Sequence, residues 1–187
     1  MGVPKQHFYI SVEDYLAGEK ISPARHEYID GVVYAMAGGT ARHNQIAKNI
    51  GYRLDEHLDS GKCRAFIVDM KTRVNPTLYY YPDVVVTCEE IADTTSELTA
   101  PCLIIEVLSP SPAATDRREK LREYRYLPSL QEYVIVWQDE TRVEIYRRQD
   151  GDLWQMLQFT QPDEEITFTA VGLTLPLTAV YRQVNFA

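Results

Sequence analysis

The stretch LIIEVL, residues 103–108, is an aliphatic run that contains a single acidic residue, Glu106. A short, nearly continuous aliphatic run is typical of a strand that is buried on both of its faces. The stretches VVVT at 84–87 and YVIVW at 133–137 have the same character. Together, the three runs predict the centre of a buried β-sheet, with Glu106 inside it.

Helices are predicted on both sides of this region in the chain. Aliphatic side chains recur every fourth position along one face and predict a helix that runs to about His57. Thr40 can cap its start. A second helix is predicted from Thr115 to Leu127. The break between the central strand and this second helix is short, so we expect the helix to begin close to Glu106.

The two ends of the chain have their own local signals. Ser11 is followed three residues later by an acid, which predicts the start of a short helix that ends near Gly18. Asp30-Gly31 lies between two apolar arms and predicts the turn of a β-hairpin. The tail is predicted to be a β-meander, with strand-like segments at 143–147, 154–159 and 166–168.

These elements predict an α/β (α+β) fold, in which a mixed β-sheet is flanked by helices. We expect one domain over 1–187, with its core at about 25–147, an N-terminal hairpin, and a C-terminal β-meander at 140–187. No apolar run approaches the roughly 20 residues that a membrane helix needs, and the N-terminus lacks a secretion signal. We therefore expect a cytoplasmic protein without membrane partners.

Charge and cysteine usage narrow the functional classes. The formal net charge of -8 counts against a broad basic surface for nucleic acid, although it is compatible with a local basic cleft. The cysteines, Cys63, Cys88 and Cys102, match neither a CxxC pair nor a zinc framework. We interpret all three as small, reduced core residues.

Two acids at predicted strands carry the strongest chemical signal. Asp83 directly precedes the strand at 84–87, and Glu106 lies within the strand at 103–108. A carboxylate in an aliphatic strand loses its hydration, so it needs a cationic partner or a metal ion. Mg²⁺ prefers such oxygen ligands, and the backbone carbonyl of Val107 could add another. The alternatives are that Asp83 only ends a turn and that Glu106 pairs with an arginine.

Three other residues could complete such a site. Lys120 is predicted in the second turn of the helix after Glu106, from which its amine could reach a phosphate or an attacking water. The alternative is a solvated helix face, on which Lys120 pairs with Asp116 four residues before it. Glu27 lies on the first hairpin arm and His43 in the first turn of the long helix; taken singly, each is more typical of a surface or packed residue.

Several short motifs, taken together, resemble a known enzyme family. The sequence resembles the PD-(D/E)xK nuclease superfamily and, within it, the Uma-two family of restriction endonucleases. The resemblance covers about residues 10–147. The matching stretches are Glu27-Tyr-Ile-Asp-Gly31, His43-Asn-Gln-Ile46, Tyr81-Pro-Asp-Val84, Ile105-Glu-Val-Leu-Ser-Pro-Ser111, Asp116 with Lys120 and Tyr124, and Glu132-Tyr-Val-Ile-Val136.

The resemblance implies a restriction-endonuclease-like core in which Asp83 and Glu106 bind a divalent metal. It also implies a catalytic role for Lys120 and adds Glu27, His43 and Asp116 as further candidates. One departure concerns the superfamily lysine, which follows the second acid by two residues. Leu108 occupies that position here, so Lys120 is identified as its replacement from the following helix.

The function predicted from these observations is metal-dependent hydrolysis of phosphodiester bonds in nucleic acid, with DNA as the expected substrate and Mg²⁺ or Mn²⁺ as the cofactor. Two other functions stay open: a binding or regulatory module that has lost catalysis, and a structural assembly domain. A homodimer is expected, because cutting both strands of a duplex needs two sites. Candidate phosphate contacts are Arg42, Lys48, Lys71, Arg73, Arg117, Arg118 and Arg122.

Overall fold

The computed structural model describes residues 9–36, 38–108, 113–151 and 153–186, with only the backbone of 113–118. The helices in these ranges are α1 Val12–Glu19, α2 Ala41–Leu58, α3 Ala113–Tyr124 and α4 Leu177–Val180. The strands are β1 His26–Ile29, β2 Val32–Ala35, β3 Arg64–Ile67, β4 Lys71–Asn75, β5 Leu78–Tyr80, β6 Val84–Thr87, β7 Glu97–Leu98, β8 Pro101–Leu108, β9 Glu132–Trp137, β10 Val143–Arg148, β11 Trp154–Phe159, β12 Glu165–Phe168 and β13 Leu173–Pro176.

The strands form two larger sheets and one two-stranded sheet. The six-stranded sheet has the order β11-β10-β9-β8-β6-β3, and the five-stranded sheet has the order β2-β1-β5-β4-β7. In the larger sheet β8 and β9 run parallel while β6 and β8 run antiparallel. The predicted mixed sheet is therefore confirmed. Within the described ranges, no helix is both long and apolar enough to cross a membrane.

The predicted local signals form the elements that position the site. Thr40 caps α2, because its side chain accepts a hydrogen bond from the His43 backbone N–H at 3.1 Å. Ser11 caps α1 in the same way through Asp14. The hairpin turns at Asp30 and Gly31, with φ angles of 46° and 92°, and aligns β1 against β2. A glycine suits the second position, because left-handed backbone costs it little.

Two apolar clusters cover the two faces of the six-stranded sheet. Alternate residues of β6 and β8 pack against the apolar stripe of α2 on one face. The residues between them, Val85 and Ile104, pack on the other face with Tyr124 of α3 and Tyr133 of β9. All residues of β6 are buried, as predicted for a strand covered on both faces.

Some elements differ from the sequence-based expectation. β4 and β5 were not predicted, because polar residues such as Lys71 and Arg73 interrupt the apolar pattern of β4. Helix α3 ends at Tyr124 rather than Leu127, since the Leu127 N–H turns back to the Tyr124 carbonyl. The predicted third strand of the meander leaves the larger sheet: β12 pairs instead with β13.

The prediction of reduced cysteines is wrong for two of the three. Cys63 and Cys88 form a disulfide, and Cys102 is a buried free thiol with its Sγ 3.7 Å from the Sγ of Cys88. The cause lies in the antiparallel strand register, which pairs Arg64 with Thr87. This pairing brings Cys63, just before Arg64, level with Cys88, just after Thr87. Burial raises the pKa of the Cys102 thiol to about 11.

The disulfide closes a chain segment that includes Asp83, so we expect it to contribute to stability. Cys63 and Cys88 are 25 residues apart, and a crosslink of this span restricts the unfolded chain by about 3 kcal/mol. Reduction, or the Cys63→Ser substitution, should lower the free energy of unfolding in urea by about that amount. The Cys102→Ala variant is the control and should keep the response to reductant. An unchanged urea midpoint on reduction of a mass-verified disulfide would contradict this.

Candidate active site

Asp83 and Glu106 lie side by side at the ends of neighbouring strands. The antiparallel register pairs Val84 with Ile105, and its continuation by one residue brings Asp83 level with Glu106. The Val107 backbone N–H donates to Asp83 Oδ2 at 2.7 Å, which fixes the carboxylate against β8. The Asp83 and Glu106 side chains are 14% and 11% exposed. Two largely buried carboxylates thus share one end of the sheet.

His43 supports Asp83 from the helix side. It lies in the first turn of α2, and its Nε2 is 3.2 Å from Asp83 Oδ2. Burial lowers the pKa of His43. The neighbouring Asp83 and Glu106 carboxylates and the Val107 backbone raise it by more, so the pKa is raised overall. Gly39 makes room for the ring, since a Cβ at this position would lie 2.8 Å from His43 Nδ1.

Glu106 points to the opposite face of the sheet from α2, towards α3. The Tyr124 hydroxyl donates to Glu106 Oε1 at 3.0 Å. Burial raises the pKa of Glu106 to about 8, against the opposing effect of the Lys120 charge, and Asp83 and Glu27 raise it further. Burial also raises the pKa of Tyr124 well above its ordinary value, so this hydroxyl stays a hydrogen-bond donor. Ionised Glu106 therefore needs positive charge nearby.

Lys120 reaches back over the strand end, as predicted. Its Nζ is 2.7 Å from Glu27 Oε1 and 3.5 Å from Glu106 Oε1. It also lies 4.9 Å from the centre of the Tyr80 ring, at a cation–π distance. The amine thus links the N-terminal hairpin to the central strand; Lys120 and Glu106 are buried, and the Glu27 side chain is 15% exposed.

The structure brings five of the predicted residues into one cluster: Asp83, Glu106, Lys120, Glu27 and His43. The alternative arginine partner for Glu106 is not what the contacts show, because its partners are Lys120 and Tyr124. The backbone carbonyl of Val107 was predicted as a metal ligand. In the structure the backbone N–H of Val107 donates to Asp83, a contact that was not predicted. The side chain of Asp116 lies outside the described residues.

Sequence reasoning missed two aromatic members of the cluster. Tyr124 was named only within the family match, although its hydroxyl also donates a hydrogen bond to Glu106. Its position four residues after Lys120 was the available signal, because that spacing places both side chains on one helix face. Tyr80 lies on the unpredicted strand β5 and gave no signal of its own.

The donor set is compatible with a cation site built from few protein ligands. Among the described residues, hydrogen bonds reach Oδ2 of Asp83 and Oε1 of Glu106, which leaves one oxygen of each carboxylate for a cation. Glu27 and Glu106 contact the amine of Lys120, and Asp83 adds a third carboxylate to the cluster, so the cluster attracts positive charge. Over the residues that the structure describes, no group of three or more His, Cys, Asp or Glu side chains is arranged so that it could hold a metal ion. Mg²⁺ is commonly held by one or two carboxylates, with waters and phosphate as its other ligands.

Comparisons with known proteins give this cluster its context. A family model, Uma2, described as "Putative restriction endonuclease", matches residues 12–178. The chain belongs to the Uma2 family. The match includes Glu27, His43, Asp83, Glu106 and Lys120, so the whole cluster lies inside the region that defines this family.

Two relatives and one solved structure are similar to this chain over most of its length. Uncharacterized protein slr1290 of Synechocystis sp. is 36% identical over 179 residues, covering 95% of this chain and 94% of that protein. Uncharacterized protein sll1609 of the same organism is 32% identical over 164 residues, covering 86% of this chain and 93% of its own length. A crystal structure of a putative nuclease belonging to DUF820 from Anabaena variabilis matches with a TM-score of 0.77 and 20% identity, covering 94% of this chain and 99% of that one. At this identity the likeness establishes the fold alone, a mixed β-sheet flanked by helices.

Proposed function

We propose that this Uma2 family member is a metal-dependent endonuclease that hydrolyses phosphodiester bonds in nucleic acid, with DNA as the expected substrate. The observation that carries the proposal is the convergence of Asp83, Glu106 and Lys120 from three separate elements. Two carboxylates and an amine are the groups that phosphodiester hydrolysis needs, since a cation must be held and a developing negative charge must be stabilised. Family membership supports the same chemistry.

Each residue of the cluster has a separate task in this proposal. Asp83 and Glu106 would hold Mg²⁺ or Mn²⁺, which polarises the scissile phosphate and activates water when it is bound. Val107 and His43 keep Asp83 oriented through contacts to one of its oxygens. Lys120 stabilises the negative charge that develops on the phosphate, because its amine lies beside Glu106 in a largely dry site.

Glu27 has a positioning role in the proposed mechanism. Its Oε1 accepts a hydrogen bond from the Lys120 amine at 2.7 Å, so the lysine stays at the strand end rather than turning to solvent. The Tyr80 ring below the amine restricts it further. Cleavage of both strands of a duplex would need a second copy of the chain, and we propose a homodimer for that reason.

The proposal is tested by incubating the protein with labelled single-stranded DNA, duplex DNA and RNA. We expect cleavage in Mg²⁺ or Mn²⁺, none in EDTA, and a rate at least about a hundred-fold lower for Asp83→Asn, because this carboxylate contributes to charge stabilisation in the transition state. The control is Asp93→Asn, which changes an exposed aspartate that pairs with Arg64 of β3 and contacts no member of the cluster among its described ion pairs.

Metal binding separates an active enzyme from a module that has lost catalysis. Calorimetric titration with Mn²⁺ should show binding that Asp83→Asn weakens. Equal cleavage rates in wild type and Asp83→Asn would end the nuclease proposal. Absence of Mn²⁺ binding that depends on Asp83, together with no cleavage of any of the three substrates, would instead favour the regulatory module.

A further inference from the structure

A basic groove lies on the outward side of α2, away from its apolar stripe. It has a volume of about 290 Å³ and is lined by α2, by α4 and by the segment that follows α4. Lys48, Arg53 and Arg182 line it, and none of its described lining residues is acidic. In a chain of net charge -8, three cations without a lining acid form a local region of positive potential.

The groove is held in shape by contacts between its two walls. Asn49 donates from Nδ2 to the backbone carbonyls of Val180 and Arg182, at 2.8 Å each. These bonds fix the C-terminal segment against α2. Gln183 follows with a φ angle of 63°, a left-handed conformation that is unfavourable for a non-glycine residue. The backbone that presents Arg182 is therefore set by specific contacts rather than by a free chain end.

Tyr52 adds an aromatic surface among the cations. Its side chain is 59% exposed although it is large and apolar, and the Arg53 guanidinium lies 5.9 Å from its ring centre. An exposed aromatic ring flanked by cations is the arrangement that binds an unpaired base together with its phosphates. Arg53 is also paired with Glu56 at 3.0 Å, so Lys48 and Arg182 are the better candidates for phosphate.

We propose that this groove binds an unpaired nucleic-acid strand, with phosphates at Lys48 and Arg182 and a base stacked on Tyr52. A duplex hides the faces of its bases, so the exposed ring favours a single strand. The inference rests on the proposed function for its substrate class. It adds a second contact surface on α2, the helix whose first turn carries His43.

The first test measures binding of a fluorescently labelled, mixed-sequence single-stranded DNA by anisotropy, in EDTA, with the full chain. Each phosphate contact adds about 0.7 to the slope of log affinity against log salt for single strands. The Lys48→Gln/Arg182→Gln double variant should therefore reduce the magnitude of this negative slope by about 1.4. The control is Lys20→Gln/Lys62→Gln, which removes the same charge from exposed positions outside the groove and should leave the slope nearly unchanged.

The second test isolates stacking. Tyr52→Ala should weaken single-strand binding about five-fold or more, while Tyr52→Phe should retain most of it, since the ring persists. Tyr126→Ala is the matched control, because Tyr126 is 73% exposed but does not line the groove. Unlabelled single strand should displace the probe more effectively than duplex of the same sequence.

The outcomes separate the groove from the catalytic proposal. Equal slopes for the two double variants, or equal loss of affinity in Tyr52→Ala and Tyr126→Ala, would overturn the groove while leaving metal-dependent cleavage intact. Preferential displacement by duplex would overturn the unpaired-strand assignment. Groove-dependent binding in a protein that cleaves no substrate in Mg²⁺ or Mn²⁺ would support the groove and end the nuclease proposal.

Discussion

The Glu106→Gln variant is expected to lose cleavage activity while keeping its stability. Loss of this carboxylate removes one of the two proposed metal ligands, and we expect at least about a thousand-fold lower rate, because a bound metal supplies several kcal/mol of transition-state stabilisation. The amide keeps an oxygen that can accept the Tyr124 hydroxyl hydrogen bond. Because burial disfavours the charged carboxylate, its replacement should change the free energy of unfolding by no more than about 1 kcal/mol, or increase it. Urea unfolding and cleavage assays on the same preparation measure both.

Glu144 provides a matched control for Glu106→Gln. It is also a buried glutamate, with a hydrogen bond from the Tyr146 hydroxyl at 2.9 Å and an ion pair with Arg142 at 2.7 Å. Glu144→Gln weakens an ion pair on β10 and should lower stability without lowering the cleavage rate. Retention of cleavage by Glu106→Gln, or a comparable loss in both variants, would exclude Glu106 as a metal ligand.

The elements that form the site were predictable where local chemistry determines them. The aliphatic runs of β6 and β8 predict central strands, and the caps at Ser11 and Thr40 predict the helix starts that the structure confirms. β4 was missed because its buried Lys71 and Thr72 lie next to one another in sequence, and no periodic pattern marks such residues as strand. The disulfide was missed because cysteine spacing does not report which strands pair.

The candidate site was predictable in composition but not in geometry. The buried position of Glu106 followed from its aliphatic neighbours, and the register then explains its proximity to Asp83. Strand alternation alone could not show which face Glu106 points to, because the residues on both sides are apolar. The contact between Lys120 and Glu27 joins residues 93 positions apart, and only the tertiary fold brings them together. His43 and Glu27 were therefore weaker candidates in sequence than they are in the structure.

The Lys120→Met variant should lose both activity and stability. Methionine preserves much of the side-chain length but removes the amine that contacts Glu27 and Glu106. These carboxylates are 15% and 11% exposed, so removal of their shared cation should lower the free energy of unfolding by about 3 kcal/mol. The cleavage rate should fall by at least about a hundred-fold, since the charge on the phosphate loses its stabilising group. Urea unfolding and single-turnover cleavage provide the two measurements.

A second substitution separates the chemical role of Lys120 from its structural one. In the Glu27→Gln/Lys120→Met double variant, one of the two neighbouring carboxylates is neutral, so most of the lost stability should return. Activity should stay low, because methionine at position 120 still lacks the amine that stabilises negative charge on the phosphate. The Glu27→Gln single variant should keep a measurable rate, reduced through looser placement of the amine. If the double variant recovered wild-type cleavage together with its stability, Lys120 would be only the structural counter-ion of Glu27, and catalysis would depend on Asp83 and Glu106 alone.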